Sequence, residues 1–114
     1  MAQHALWIAE SGKNGQRAEL SAARLAGRNL HGVIFGGALL SYAVLSGANL
    51  AKSEFAMADL SFADLREANL AQADLRGADL CGADLRNANF AGAKMTNAKL
   101  DDARIEGVRN LPVF

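Results

Sequence analysis

The sequence has a single cysteine, Cys81, and a single proline, Pro112, in 114 residues. One thiol cannot form an intramolecular disulfide, so the chain is expected in a reducing compartment, the cytoplasm. Only one tryptophan, one tyrosine and five phenylalanines are present, so aromatic bulk cannot supply the core. Neither sign of charge dominates: twelve Lys and Arg balance twelve Asp and Glu. No whole-molecule field therefore favours direct binding to nucleic acid or an anionic membrane. The longest apolar stretch, Val33 to Leu40, contains two glycines and is too short to span a bilayer. The amino terminus lacks a basic segment followed by a long apolar run, so no secretory signal is expected. Thr96 is the only threonine, which excludes the threonine rows of an ice-binding surface.

What is abundant is order. From Leu20 to Ile105 every fifth residue is large and apolar: Leu, Phe, Met or Ile at all eighteen places. Two residues before each stands alanine, with Arg28, Val33 and Ser53 as the exceptions. Between these two columns runs a polar one, clearest as Asp59, Asp64, Asn69, Asp74, Asp79, Asp84 and Asn89. A period of five scatters leucines around a helix and sends them to alternate faces of a strand. Alanine and leucine two apart do share one face of a short extended segment. If the next two residues turn the chain, each Ala-x-Leu again faces inward and the coils stack as a solenoid. Asn29, Asn49, Asn69 and Asn89 recur every twenty residues, which selects four sides per coil and predicts a structural amide ladder.

The run from Ala58-Asp59-Leu60-Ser61-Phe62 to Ala88-Asn89-Phe90-Ala91-Gly92 resembles the pentapeptide-repeat family, over residues 18–107. That resemblance implies an all-β fold, a right-handed quadrilateral β-helix of about four and a half coils. The stretch from His4 to Ala18 is similar to the lead-in of some bacterial members. Residues 1–17 are expected to form an N-terminal cap and turn, with Leu6, Trp7 and Ile8 in a short helix ended by Gly12. Residues 108–114 are expected to leave the register at Val108 and Asn110 and form a tail. There Leu111, Val113 and Phe114 are candidates for an end cap or a dimer seam, since related proteins join through apolar C-termini. Arg28, in an alanine column, predicts an irregular first coil with its guanidinium outward or paired.

Catalytic chemistry is not expected. His4 and His31 have no evident partners, Cys81 stacks between Ser61 and Asp101 on a convex face and reads as a surface thiol, and phosphate loops and Cys-x-x-Cys pairs are missing, so neither catalytic residues, nor metal ligands, nor a cofactor is assigned. Asp64, Asp74 and Asp84 each have an arginine two residues on and read as local, solvated pairs. The outward positions do hold one apolar group: Ile34, Leu39, Tyr42, Val44, Met57 and Phe62. Clustered apolar residues on a convex surface are candidates for partner contact, unless the N-terminal segment covers them. The expected function is that of a non-catalytic interaction or scaffold module for a protein partner, with a second copy of the chain as one candidate. The alternative is the family's DNA mimicry, aimed at topoisomerases such as gyrase, and an enzyme is a remote third. Mimicry needs a long anionic rod. Here eleven acids face nine bases over the repeats, and the rod is only about 22 Å at roughly 4.8 Å per coil.

Overall fold

The computed structural model describes residues 18–112. The expected helical cap with Leu6, Trp7 and Ile8, and the tail residues Val113 and Phe114, lie outside them. Each five-residue unit contributes one side of a coil, and each side pairs in parallel with the side twenty residues on. The first face stacks Glu19, Leu39, Asp59, Asp79 and Lys99. The second stacks Arg24, Val44, Asp64, Asp84 and Arg104, and the third Asn29, Asn49, Asn69, Asn89 and Arg109. The fourth stacks Ile34, Glu54, Asp74 and Lys94. Four sides per coil, read from the asparagines alone, is the observed geometry.

The backbone explains the period. Take one unit. Asp59 N–H donates to Ala38 C=O at 2.9 Å, and Leu60 N–H donates to Asp79 C=O at 2.7 Å. At the corner Phe62 N–H donates to Cys81 C=O at 2.9 Å, and Ala63 N–H closes a turn on Leu60 C=O at 3.0 Å. The second corner residue has positive φ in every unit from Ala22 to Gly107, and the first does not. A three-residue closure with left-handed backbone at its third position is a type II turn. Glycine fits there without penalty, which accounts for Gly77, Gly82 and Gly92.

One N–H per unit, that of the first corner residue, has no place in this ladder. The polar column supplies its acceptor: Ser61, Arg66, Arg76, Cys81 and Arg86 each donate their N–H to the aspartate two residues before, at 3.0–3.2 Å. Asparagine does the same, with the N–H groups of His31, Ala51, Ala71 and Ala91 donating to Asn29, Asn49, Asn69 and Asn89. The four asparagines pair on one face at twenty-residue steps, but what their side chains share is capping of the corner. An amide-to-amide bond joins Asn49 Nδ2 to Asn29 Oδ1 at 3.2 Å, and Asn110 Nδ2 closes on Asn89 Oδ1 at 3.2 Å.

The lumen is filled by the alanine and leucine columns, fully buried from Leu40 to Phe90. Phe35 and Phe55 stack inside it, with ring centroids 5.2 Å apart. Ser53 takes an alanine place, and its hydroxyl donates to Leu50 C=O at 2.5 Å, so this buried polar group is satisfied. Arg28 corrects one expectation: its side chain is exposed, yet the backbone stays in register, with Asn49 N–H donating to Arg28 C=O at 2.9 Å. In the first described coil Arg28 faces outward without distorting the ladder. The carboxyl end also differs from expectation. Val108 keeps its alanine-column place and Arg109 pairs with Asn89, so regular pairing runs two residues beyond 107. The break comes at Asn110, whose φ is 61°. The last coil is less covered, with Ile105 48% exposed and Leu100, Ala103, Val108 and Leu111 half-buried.

Candidate surface site

Outward side chains sit on the polar column and at the corners, so the site is a convex surface. Tyr42 and Phe62 are second corner residues of successive coils, one below the other on the ridge that follows the first face. Their rings stack with centroids 5.2 Å apart and planes 12° from parallel, and they are 62% and 54% exposed. The Phe62 ring in turn lies over Gly82, filling the space that a Cβ there would need. On the neighbouring ridge, after the fourth face, Met57 packs over Gly77 in the same way. Ile34 is exposed on the fourth face, while Leu39 and Val44 are half-buried on the first and second. The six apolar candidates thus occupy adjoining faces of three successive coils, and two of them, Tyr42 and Phe62, form a ring stack.

Tyr42, Met57 and Phe62 are bulky side chains held at φ of 62°, 61° and 59°. A left-handed residue with a Cβ costs on the order of 1–2 kcal/mol relative to the ordinary helical region. Glycine, used at eight of these corners, would avoid that cost. These three residues are not buried in the lumen, and their backbone conformation does not favour a bulky side chain.

The charged positions form a second system. Arg66 grips Asp64 with Nε at 2.9 Å from Oδ1 and Nη2 at 2.8 Å from Oδ2. Arg76 holds Asp74 in the same fork at 2.9 and 2.7 Å, and Arg86 holds Asp84 at 2.9 and 2.6 Å. Hydrogen bonding from each arginine holds its aspartate below the ordinary carboxylate range. A depressed folded pKa gives stability that is complete above the ordinary value of 3.8 and is lost as pH falls through the lowered one. Denaturation midpoints should therefore begin to drop near pH 4 and continue dropping below it. Replacing Arg66, Arg76 and Arg86 together by glutamine should flatten that acid limb, and an unchanged slope would refute the assignment.

The Cys81 thiol lies between two carboxylates: hydrogen bonding to Asp79 pushes its pKa up, and Asp101 Oδ2 is 3.9 Å from Sγ. That environment disfavours the thiolate a nucleophile needs. Shallow grooves lie between the described residues of the surface. One, of about 350 Å³, runs past Ser46, Arg66, Glu67, Arg86 and Asn87, and one of about 530 Å³ runs beside Met57, Arg76, Thr96 and Lys99. Among the described residues no group of three or more His, Cys, Asp or Glu is placed to hold a metal ion. No helix among them is long and apolar enough to cross a membrane.

A family model described as pentapeptide repeats matches this chain in eight copies, over residues 18–55, 43–80, 58–97 and 73–109. No curated protein sequence matched. Among solved structures, that of the pentapeptide-repeat protein Rfr23 from the cyanobacterium Cyanothece 51142 is similar at a TM-score of 0.78 and 30% identity. The match covers 80% of this chain and 63% of that one. A pentapeptide-repeat protein of the Arabidopsis thaliana thylakoid lumen is 32% identical at a TM-score of 0.63, over 90% of this chain and 74% of its own. HetL of Nostoc sp. strain PCC 7120, a pentapeptide-repeat protein involved in heterocyst differentiation regulation, is 36% identical at a TM-score of 0.58. It aligns with 81% of this chain, which spans 46% of HetL.

Proposed function

This chain belongs to the pentapeptide-repeat family, and on that premise we propose that it is a non-catalytic interaction module whose convex faces dock a protein partner. The coiled scaffold is the family's right-handed quadrilateral β-helix, which holds outward side chains in fixed columns. The observation that carries the reading is the Tyr42–Phe62 stack, exposed on its ridge in a backbone conformation that glycine would occupy more cheaply. Tyrosine and large apolar side chains in a rigid setting are typical anchors of protein contacts. A DNA-mimicking role would ask for anionic charge along a rod, at one charge per roughly 1.7 Å of duplex. The longest dimension here is 35 Å, and arginine forks neutralise the aspartates of the second and fourth faces.

The test replaces Leu39, Tyr42 and Phe62 together by serine. These positions are outside the lumen, so the thermal midpoint should stay within a few degrees of wild type. Affinity capture from the source cell, run with both proteins, should recover a protein with wild type that is missing with the triple variant. Identical captures would refute the surface. Gel filtration of the same pair decides whether that partner is a second copy.

A further inference from the structure

The near-zero net charge of the chain hides an uneven distribution around the solenoid. On the second and fourth faces Asp64, Asp74 and Asp84 are each followed, two residues on, by an arginine that neutralises them. On the first face the residues in that place are Ser21, Ser41, Ser61 and Cys81, which bring no countercharge. The first face and its corner therefore carry Glu19, Asp59, Asp79, Asp101 and Asp102 against the single cation Lys99, a net of −4. Asp59 and Asp79 form no ion pair among the described residues. Asp59 is instead steadied by Ser61, whose N–H and Oγ–H donate to Oδ1 at 3.0 and 2.6 Å. The opposite, third face has no acid at all, and carries Arg109 with Lys52 at its corner and Arg28 before it.

The exposed Tyr42–Phe62 stack stands on the corner of this acidic face, one coil above the next with Ser41 and Ser61 beside it. We propose that this ridge and the first-face carboxylates dock a cationic segment of a partner protein, with arginine or lysine interleaved among apolar residues. The inference rests on the reading of this ridge as a protein-contact surface and specifies the chemistry of the partner. Aromatic rings attract a guanidinium or ammonium through their quadrupole. Asp59 and Asp79, one coil apart on the first face, add acceptors for charge-assisted bonds. An apolar anchor flanked by a surplus of charge of one sign favours a partner of the other sign and repels like-charged competitors. The forks on the adjacent faces confine this preference to one side.

Fluorescence anisotropy with three labelled peptides of equal length tests the proposal: alternating Leu–Arg, Leu–Gln and Leu–Glu, at low salt. The full chain should bind the Leu–Arg peptide about tenfold or more tighter than Leu–Gln, a difference of about 1.4 kcal/mol, and should not bind Leu–Glu. Asp59→Asn with Asp79→Asn keeps the side-chain acceptors at the corners and should weaken Leu–Arg binding by about tenfold. Tyr42→Ser with Phe62→Ser should weaken it equally. Arg28→Ser with Lys52→Ser, across the solenoid, should leave it unchanged. Circular dichroism melts of each variant separate these losses from unfolding. Equal binding of Leu–Arg and Leu–Gln would overturn the cationic partner while leaving the ridge as a contact surface. Leu–Arg binding that is absent, or that survives either first-face variant, would overturn the proposal itself. So would salt-sensitive dimers abolished by the Arg28 and Lys52 changes, which would give the acidic face to a second copy.

Discussion

Replacing Phe55 by alanine is expected to cost this solenoid about 3–5 kcal/mol, the usual range when a buried aromatic is removed and its cavity cannot collapse. Phe55 is fully buried on the fourth face and stacks on Phe35, with planes 16° from parallel. The walls around it are hydrogen-bonded to the coils on either side: Phe35 N–H donates to Glu54 C=O and Phe55 N–H to Asp74 C=O, both at 2.7 Å. A wall tied in two directions cannot move inward to fill the void, so the high end of the range is expected. Phe55→Leu should cost less than about 1.5 kcal/mol, because volume is largely kept. The same column already accepts Leu75 and Met95 below the phenylalanines. Urea denaturation of the three proteins checks both numbers. An alanine variant within about 1 kcal/mol of wild type would mean that the lumen can contract.

Ala73→Leu is the converse experiment and should lower stability by about 1–3 kcal/mol through overpacking. Ala73 has no exposed surface and stands in the alanine column between Ser53 and Ala93. With Leu70 and Leu75 of the same coil also fully buried, a second branched side chain has no free volume to enter. The comparison is Ala26→Leu, at an exposed first corner position, which should stay within about 0.5 kcal/mol of wild type. Together the pair separates inward from outward alanines in one denaturation series. If the two variants melted alike, the division of the repeat into lumen and surface would be wrong.

Much of the site was legible before any coordinates. Tyr42, Met57 and Phe62 stand out because their column elsewhere holds glycine, alanine or polar residues. The local pairs of Asp64 with Arg66, Asp74 with Arg76 and Asp84 with Arg86 follow from their spacing. Two features were missed that a signal in the sequence could have supplied. Asp and Asn are residues that accept a backbone N–H two positions on, so the polar column already spelled out corner capping in place of an amide ladder alone. The twenty-residue register would also have allowed charges to be added face by face; summing them along the chain concealed the acidic side.

By itself, the sequence determined the scaffold. A five-residue period with alanine and leucine in fixed columns has one economical solution, a coil whose every unit buries the same two positions, and the recurrence of Asn29, Asn49, Asn69 and Asn89 gives that coil four corners. The tertiary structure alone decided how the outward residues associate. Stacking at a twenty-residue interval brings Tyr42 onto Phe62, Phe62 over Gly82, and Asp59 above Asp79, contacts between residues far apart in the chain. It also decided that the register continues through Val108 and Arg109, since that depends on which hydrogen bonds the last coil can still find in the coil above. The lumen repeats one local rule and can be read locally, whereas a surface is defined by neighbours that only the closed coil creates.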